Sequence, residues 1–423
     1  MNTFKEHIDP NEIGPSDKAQ KALFIWLVII LAIRISTYFM VSESVVITRI
    51  YKFGGRILIT ILTFYLPYLV KELRIHPDFT KVRQLLPPLF YGVYLWLGAA
   101  SLAWTSSFEV SFLQLFMDIE TMVFAFAFMK MCLYLPHEDE GSAITFARVL
   151  WIGAFINVLG ILIGSIVNPD TFMRSTHGGN VSRLGGFFIN PNELGMLIVV
   201  GLAGLGMDIS HQKPTYAKAF IGIILLYSLF LTSSRSSMIS FVLLSGYYLL
   251  KYGKKEIIIA AIMLGIFIGP FVFNEVFLKE GDVEEVSNMT GRLPFWEDLI
   301  VYNVPRKPLL GYGFMRIDEL DKFAAVHSYA GAMPHNTFLQ VLLNLGLLGI
   351  SIILIQMALT IRGIFKLRLS NSVLPILFFA MLIPLIINSL TEFGIWGETN
   401  YGIMFYLFII WGVGLQRKRI YGQ

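Results

Sequence analysis

The sequence predicts an all-α, polytopic membrane protein with about twelve transmembrane helices and one large extracytoplasmic loop. Of its 423 residues, 55% are hydrophobic and only 15% are charged, whereas about 25% of residues in a typical soluble domain are charged. About 20 apolar residues are needed to cross the ~30 Å hydrocarbon core of a bilayer. Stretches of this kind cover residues 22–41, 54–70, 85–104, 112–134, 146–167, 191–208, 216–232, 237–251, 256–278, 337–360, 372–390 and 401–416.

Lysine and arginine residues predict the orientation, because short cytoplasmic loops are enriched in them. One set of alternate connections is basic, and it contains Lys71, Arg74, Lys81, Arg83, Lys213, Lys218, Lys251, Lys254, Lys255, Arg362, Lys366, Arg368, Arg417, Lys418 and Arg419. On the other side, the connections near 105–110 and 391–400 contain neither residue type. Both termini are therefore expected on the cytoplasmic side.

The predicted organisation follows from these spans. It comprises a cytoplasmic tail (1–21), a membrane domain of about nine spans (22–278), an extracytoplasmic loop (279–336), C-terminal spans (337–416) and a second cytoplasmic tail (417–423). The first ~20 residues lack the apolar core of a cleavable signal, so the first span is expected to remain as an anchor. The single cysteine, Cys132, excludes an intrachain disulfide and a cysteine metal cluster. The net charge of +4 is small and gives no indication of a nucleic-acid partner.

The first candidate site residue is His335, which opens the apolar helix that follows the long loop. Histidine suits general-base catalysis because its ordinary pKa lies near neutral pH. The small polar Asn336 follows it. The alternative is a histidine that only borders the helix start. His327, in the same loop, is a weaker candidate.

The second candidate is Arg235, which lies among hydroxyl residues in the segment Thr232-Ser233-Ser234-Arg235-Ser236-Ser237. Arginine donates hydrogen bonds in a fork that matches phosphate oxygens, and the helix after it would add backbone N–H groups. Arg235 lies on the side where the charge rule disfavours arginine. The alternative is an arginine that snorkels to the membrane interface.

A third candidate, Arg183, precedes a predicted helix start. Asn190 before Pro191 fits an N-cap followed by proline at the first helical position. Asn192 would then lie in the first turn. Arg183 could also be an ordinary loop charge.

The fourth candidate, Arg292, begins a predicted short amphipathic helix on the membrane surface. The apolar residues with helical spacing are Leu293, Trp296, Leu299 and Ile300. Trp296 could stack on a sugar ring or belong to the interfacial aromatic belt. Gly311 and Gly313 indicate a tight loop.

Three arginines and one histidine thus share the predicted extracytoplasmic side. No dense acidic cluster accompanies His335, so neither a metal site nor a cofactor is indicated. This set of residues suits an anionic leaving group, such as a diphosphate, and the deprotonation of an attacking hydroxyl.

In their order and topology, these segments resemble the O-antigen ligase and polymerase family of bacterial envelope glycan enzymes. The matching segments are Arg183 to Gly195, Thr232 to Arg235, Gly291-Arg292 with Trp296, Pro308 to Gly313, and His335 to Gly349. The resemblance implies a metal-independent, inverting glycosyltransferase at the outer face of the bacterial inner membrane. Its donor would be an undecaprenyl-diphosphate-linked glycan. Polymerisation into O-antigen, capsule or exopolysaccharide is the expected reaction, because the sequence shows no added extracytoplasmic domain for a protein acceptor.

The resemblance also implies roles for the candidate residues. His335 would activate the acceptor hydroxyl, and Arg235, Arg292 and Arg183 would bind the diphosphate. The supporting residues would be Asn336, Asn192, Ser234 and Trp296.

Other functions remain open at this point. One is ligation of O-antigen to lipid A core in lipopolysaccharide biosynthesis, or protein O-oligosaccharyl transfer. A polymerase would in addition have a chain-length regulator as a partner. The alternative from a different class is a transporter of lipid-linked sugars, which would use charged residues inside the spans. The candidates for that role are Arg34, Asp118, Glu120 and Arg148.

Overall fold

The computed structural model describes residues 16–69, 80–133, 135, 141–176, 181–278, 288–289, 291–314, 333–367 and 373–417. The predicted all-α class is confirmed within these ranges. The twelve long helices there are α1 (Asp17–Ser36), α2 (Val45–Leu69), α3 (Leu86–Ala100), α4 (Phe108–Cys132), α5 (Gly141–Val167), α7 (Pro191–His211), α8 (Tyr216–Leu231), α9 (Arg235–Tyr252), α10 (Lys255–Val272), α12 (Thr337–Leu367), α13 (Val373–Thr391) and α14 (Tyr401–Gly414). Two short helices are α6 (Pro169–Phe172) and α11 (Arg292–Asp298).

Each predicted span coincides with one of the long helices. Eight helices in the described ranges are long and apolar enough to cross a membrane, and α8 and α14 are shorter apolar helices. The number of spans therefore stays a prediction, as do the predicted domain limits. Helix ends differ from the apolar stretches: α1 begins at Asp17, inside the predicted tail, and α12 extends to Leu367. His327 and residues 279–287, 290 and 315–332 of the loop lie outside the described residues.

Polar residues define the starts of several helices by accepting a hydrogen bond from a backbone N–H of the first turn. The side chains that do so are Ser16, Asn190, Thr215, Ser234, Asn336 and Asn400. Asn190 accepts from the amide of Asn192 at 2.9 Å, and Pro191 is the first helical residue. The predicted start of α7 is thereby confirmed.

Helices α5 and α7 pack together at the centre of the bundle, with α1 beside α5 and with α13 against both α7 and α9. The pairs α3–α12 and α4–α14 form the adjoining part. Nearly every residue of α14 is buried, whereas α10 has no buried residue. The apolar surface of α10 thus faces outward, as expected for a helix in contact with lipid.

Two short antiparallel ladders connect segments outside the helices. Strand β1 (Thr80–Val82) pairs with β4 (Leu415–Arg417), which joins the entry to α3 to the exit of α14. Strand β2 (Met173–Thr176) pairs with β3 (Val181–Leu184) just before α7. The second ladder carries Arg183 to the face where the other candidate residues lie.

Candidate active site

A buried carboxylate, Glu392, lies at the centre of the candidate site. It follows the last residue of α13 and is 2% exposed. One oxygen, Oε2, is 2.6 Å from Nδ1 of His335. The other, Oε1, accepts hydrogen bonds from Arg292 at 2.8 Å and from Nδ2 of Asn192 at 2.6 Å. Glu392 therefore joins the starts of α7, α11 and α12.

His335 has a constrained position immediately before α12. Its φ of 42° lies in the left-handed region, which non-glycine residues rarely adopt. Its ring stacks on Phe393, with centroids 5.3 Å apart and an interplanar angle of 30°. The indole N–H of Trp296 donates to the carbonyl of Pro334, the preceding residue. Contacts from two other segments thus fix the backbone and the ring of this histidine.

The two residues after His335 connect α12 to the end of α13. Asn336 caps α12 by accepting from the amide of Leu339 at 3.0 Å, and its Nδ2 donates to the carbonyl of Leu390 at 3.2 Å. The hydroxyl of Thr337 donates to the carbonyl of Glu392 at 3.2 Å. The histidine and its carboxylate partner consequently belong to one hydrogen-bonded unit.

Helix α11 positions Arg292 beside this unit. Gly291, with φ of 79°, turns the chain into the helix, and Arg292 donates to the carbonyl of Thr391 as well as to Glu392. The prediction that the apolar residues of this helix would face the membrane is wrong in part. Phe295 and Leu299 pack against α12, at Leu339 and Leu343, while Leu293 and Ile300 are exposed. The buried stripe faces protein because α11 covers the start of α12.

Arg183 lies on β3 and reaches the same centre through Asn192. Its Nε donates to the carbonyl of Thr232 at 2.8 Å, and a terminal nitrogen donates to Oδ1 of Asn192 at 2.7 Å. Asn192 in turn donates to Glu392. Arg183 therefore links the Thr232 turn to the carboxylate.

Arg235 is the first residue of α9 rather than part of the preceding turn, which comprises residues 232–234. Ser234 caps this helix by accepting from the amide of Ser237. Ser234 is fully buried in that role. The structure thus gives Ser234 a structural function at the helix start and places Arg235 directly after it.

The electrostatics of the site favour an anion. Burial lowers the pKa of Arg183 to about 10; Glu392 opposes this shift, and the positive charges of Arg174, Arg235 and Arg292 add to it. These arginines are therefore close enough to interact. Burial alone would raise the pKa of Glu392, but the hydrogen bond from His335 and the charge of Arg292 lower it to about 2. Glu392 is thus an ionised carboxylate that interacts with the cationic side chains of Arg292 and Arg183.

The structure brings together most of the residues that the sequence singled out. Glu392 is hydrogen-bonded directly to His335, Arg292 and Asn192. Arg183 reaches it through Asn192, and Asn336 follows His335 in the chain and donates to the carbonyl of Leu390. The indole N–H of Trp296 donates to the carbonyl of Pro334, and its ring is partly buried against the apolar cluster of Phe295, Leu299, Leu339 and Leu343. Among the described residues, no group of three or more His, Cys, Asp or Glu could hold a metal ion.

Sequence reasoning missed Glu392. The signal was available, because Glu392 is an acidic residue directly after a very apolar helix, in a connection assigned to the same side as His335. Its lack of lysine and arginine indicated only on which side of the membrane it lies. The pairing itself joins positions 57 residues apart and has no local sequence pattern.

Part of the chain is similar to a known protein family. Residues 220–354 match the family described as O-antigen ligase. The chain is 25% identical over 259 residues to the ComP-specific O-oligosaccharyltransferase of Acinetobacter baylyi, an alignment that covers 56% of this chain and 45% of that protein. It is 24% identical over 263 residues to a protein named as a polysaccharide ligase in Rickettsia prowazekii, covering 58% and 64%.

The chain spans less than two thirds of the length of either relative. The family match includes Arg235, Arg292 and His335, whereas Arg183 and Glu392 lie outside it. The resemblance drawn from the sequence is therefore confirmed, with the family match confined to residues 220–354.

Proposed function

We propose that this protein transfers a glycan from an undecaprenyl-diphosphate-linked donor to a hydroxyl acceptor, at the membrane face that carries His335. The observation that carries the proposal is the contact of His335 with Glu392, which Arg292 also binds. A histidine oriented by a carboxylate is suited to general-base catalysis, and adjacent arginines are suited to a diphosphate. The names of the two relatives, which refer to glycan transfer and ligation, also support it.

His335 acts as the base in the proposed reaction. Because the pKa of Glu392 is about 2, this carboxylate is ionised at neutral pH and accepts the proton of Nδ1–H. That hydrogen bond selects the tautomer in which Nε2 carries the lone pair. Nε2 takes the proton of the acceptor hydroxyl, whose oxygen attacks the anomeric carbon of the donor sugar.

The arginines stabilise the group that leaves. As the new glycosidic bond forms, the bond from the anomeric carbon to the lipid diphosphate breaks, and the electron pair stays with the diphosphate. A guanidinium has five N–H donors, and Arg183 uses two of its nitrogens within the protein. The remaining N–H groups of Arg183, together with Arg235 and Arg292, bind the developing negative charge. A single displacement of this kind inverts the anomeric configuration and involves no metal.

The acceptor distinguishes two forms of this proposal. The reaction expected from the sequence is polymerisation of O-antigen, capsule or exopolysaccharide, whereas the relatives are named for a ligase and an oligosaccharyltransferase. A strain lacking the gene would retain single repeat units on the anchor if the protein is a polymerase. It would accumulate the lipid-linked polymer if the protein is a ligase. Unchanged glycans in that strain would contradict both forms.

The role of His335 is tested by His335→Ala in the complemented deletion strain. Loss of a general base lowers the rate by about 100-fold or more, so acceptor-linked glycan should fall below detection at a normal protein level. His211→Ala is the matched control, because His211 lies at the other end of α7 and contacts the carbonyl of Met207 at 3.1 Å. Normal glycan in the His335 variant would refute the base role.

A further inference from the structure

A basic pocket lies at the membrane face opposite His335. Helix α12 begins beside His335 and ends at Leu367, so its two ends reach opposite faces. Near the far end, a cavity of about 270 Å³ opens between the last turns of α12 and the entry to α3. Three cationic side chains line it: Arg83, Arg362 and Lys366.

The lining of this pocket has the composition expected for an anionic amphiphile. Among the residues that the structure describes, none of those lining the pocket is acidic. Arg362 and Lys366 are four residues apart on a helix, which places them on one face, and both are exposed. Leu85 and Leu86, at the rim, are 58% and 50% exposed. Positive charge is thus concentrated directly beside an uncovered apolar surface.

Hydrogen bonds between the two helices hold the walls of the pocket in place. The side-chain amide of Gln84 donates to the carbonyl of Gly363 at 3.2 Å, and that of Gln356 donates to the carbonyl of Pro87 at 3.3 Å. The amide of Arg83 donates to the carbonyl of Gly414 at 2.7 Å. The pocket is consequently a preformed feature of the α3–α12 interface.

We propose that this pocket binds the headgroup of an anionic phospholipid from the leaflet opposite the His335 site. The lipid phosphate lies among Arg83, Arg362 and Lys366, and an acyl chain follows Leu85, Leu86 and Leu359. Basic pockets between membrane helices are suited to such headgroups because each nearby cation adds attraction. This lipid site is independent of the transfer reaction.

The test uses the purified full-length protein and measures retained lipid by native mass spectrometry. Phosphatidylglycerol should remain bound, whereas phosphatidylcholine should not. The double variant Arg362→Gln/Lys366→Gln should bind phosphatidylglycerol about 30-fold more weakly. Lys251→Gln/Lys254→Gln removes the same charge from exposed positions outside the pocket and should bind like the wild type.

A charge-conserving variant, Arg362→Lys/Lys366→Arg, should keep most of the binding, which separates loss of charge from loss of folding. Equal retention of both lipids by the wild type would overturn the proposal, and so would equal weakening in the two double glutamine variants. Millimolar inorganic phosphate should fail to displace phosphatidylglycerol. Displacement would identify a free-anion site instead of a lipid site.

Discussion

At the scale of single residues, the geometry around Glu392 explains how one histidine acquires a defined orientation. The carboxylate contacts His335 through one oxygen and Arg292 and Asn192 through the other. Such an arrangement satisfies a buried charge by hydrogen bonds from several partners, which a buried carboxylate requires. Glu392 is a positioning residue in the proposed reaction, since it acts through His335.

Replacement of Glu392 by glutamine should lower the kcat for glycan transfer by roughly 100-fold, because the amide can no longer select the tautomer of His335. The donor KM should change far less. Both constants would be measured with purified protein and a lipid-linked oligosaccharide. Glu109→Gln, at an exposed position in the first turn of α4, is the control. A variant with unchanged kcat per folded molecule would limit Glu392 to a structural role.

The same carboxylate should make folding stability depend on acid pH. The pKa of Glu392 is about 2 in the folded protein, below the ordinary value of about 4.3. Its ionised form therefore favours folding above pH ~4.3, and this contribution is lost as the pH falls toward 2. Thermal unfolding in detergent should show this loss in the wild type and a flatter dependence in Glu392→Gln. Identical pH dependence in both proteins would contradict a contribution of ionised Glu392 to folding stability.

At the scale of elements, helix α12 contains a break whose backbone groups form hydrogen bonds with the preceding loop. Gly346 has φ of 63° and ψ of −161°, so the helical hydrogen bonds are interrupted there. The amides of Tyr312 and Gly313 donate to the carbonyls of Leu343 and Asn344, each at 2.9 Å. The amide of Leu347 donates to the carbonyl of Pro308 at 2.7 Å. Backbone groups that the break would leave without partners are thus bonded to the Pro308–Gly313 segment, as a membrane-embedded or buried backbone requires.

Gly346→Ala should destabilise the protein by at least about 1–3 kcal/mol, the typical cost of this backbone region for a residue with a Cβ. An added Cβ would also lie 2.3 Å from backbone atoms of Leu309. Gly246→Ala, in the middle of α9 with no atom within 4 Å of the added Cβ, is the control and should be neutral or slightly stabilising. A lower unfolding temperature only for Gly346→Ala is expected, and equal temperatures would refute the claim.

Three of the four charged residues that a transport path would use form ion pairs between helices, whereas Asp118 accepts a hydrogen bond from the hydroxyl of Thr399 at 2.9 Å. Arg34 contacts Glu120 at 2.6 Å and is fully buried, and Arg148 contacts Asp208 at 2.9 Å. The predicted alternative of a transporter would use such residues along a path. Their pairing between α1 and α4, and between α5 and α7, gives them a role in joining helices, which favours the transfer reaction over transport as the proposed function.

At the scale of the whole molecule, the predicted orientation places Ser182, beside Arg183, outside the cell membrane and Lys254 inside it. Both side chains are exposed. In a Cys132→Ser background, a membrane-impermeant maleimide should label Ser182→Cys in intact cells, and label Lys254→Cys only after permeabilisation. The reverse labelling pattern would show that the orientation is inverted.

The sequence by itself determined the helical class, the positions of the long helices and the starts of several of them. These properties depend on the length of apolar stretches and on local signals such as the Asn190 cap before Pro191, which act within a few positions of the chain. It also singled out His335 and three arginines, because basic and titratable groups are unusual on that side of a membrane protein.

Only the tertiary structure decided how these residues work together. In the structure His335 contacts Glu392, and Trp296 donates a hydrogen bond to Pro334. The apolar stripe of α11 packs against α12, and the backbone groups at the Gly346 break form hydrogen bonds with a preceding loop. Each of these contacts joins segments that are distant in sequence. Their partners are selected by helix packing and by the need of buried polar groups for hydrogen bonds, and neither leaves a pattern in the local sequence.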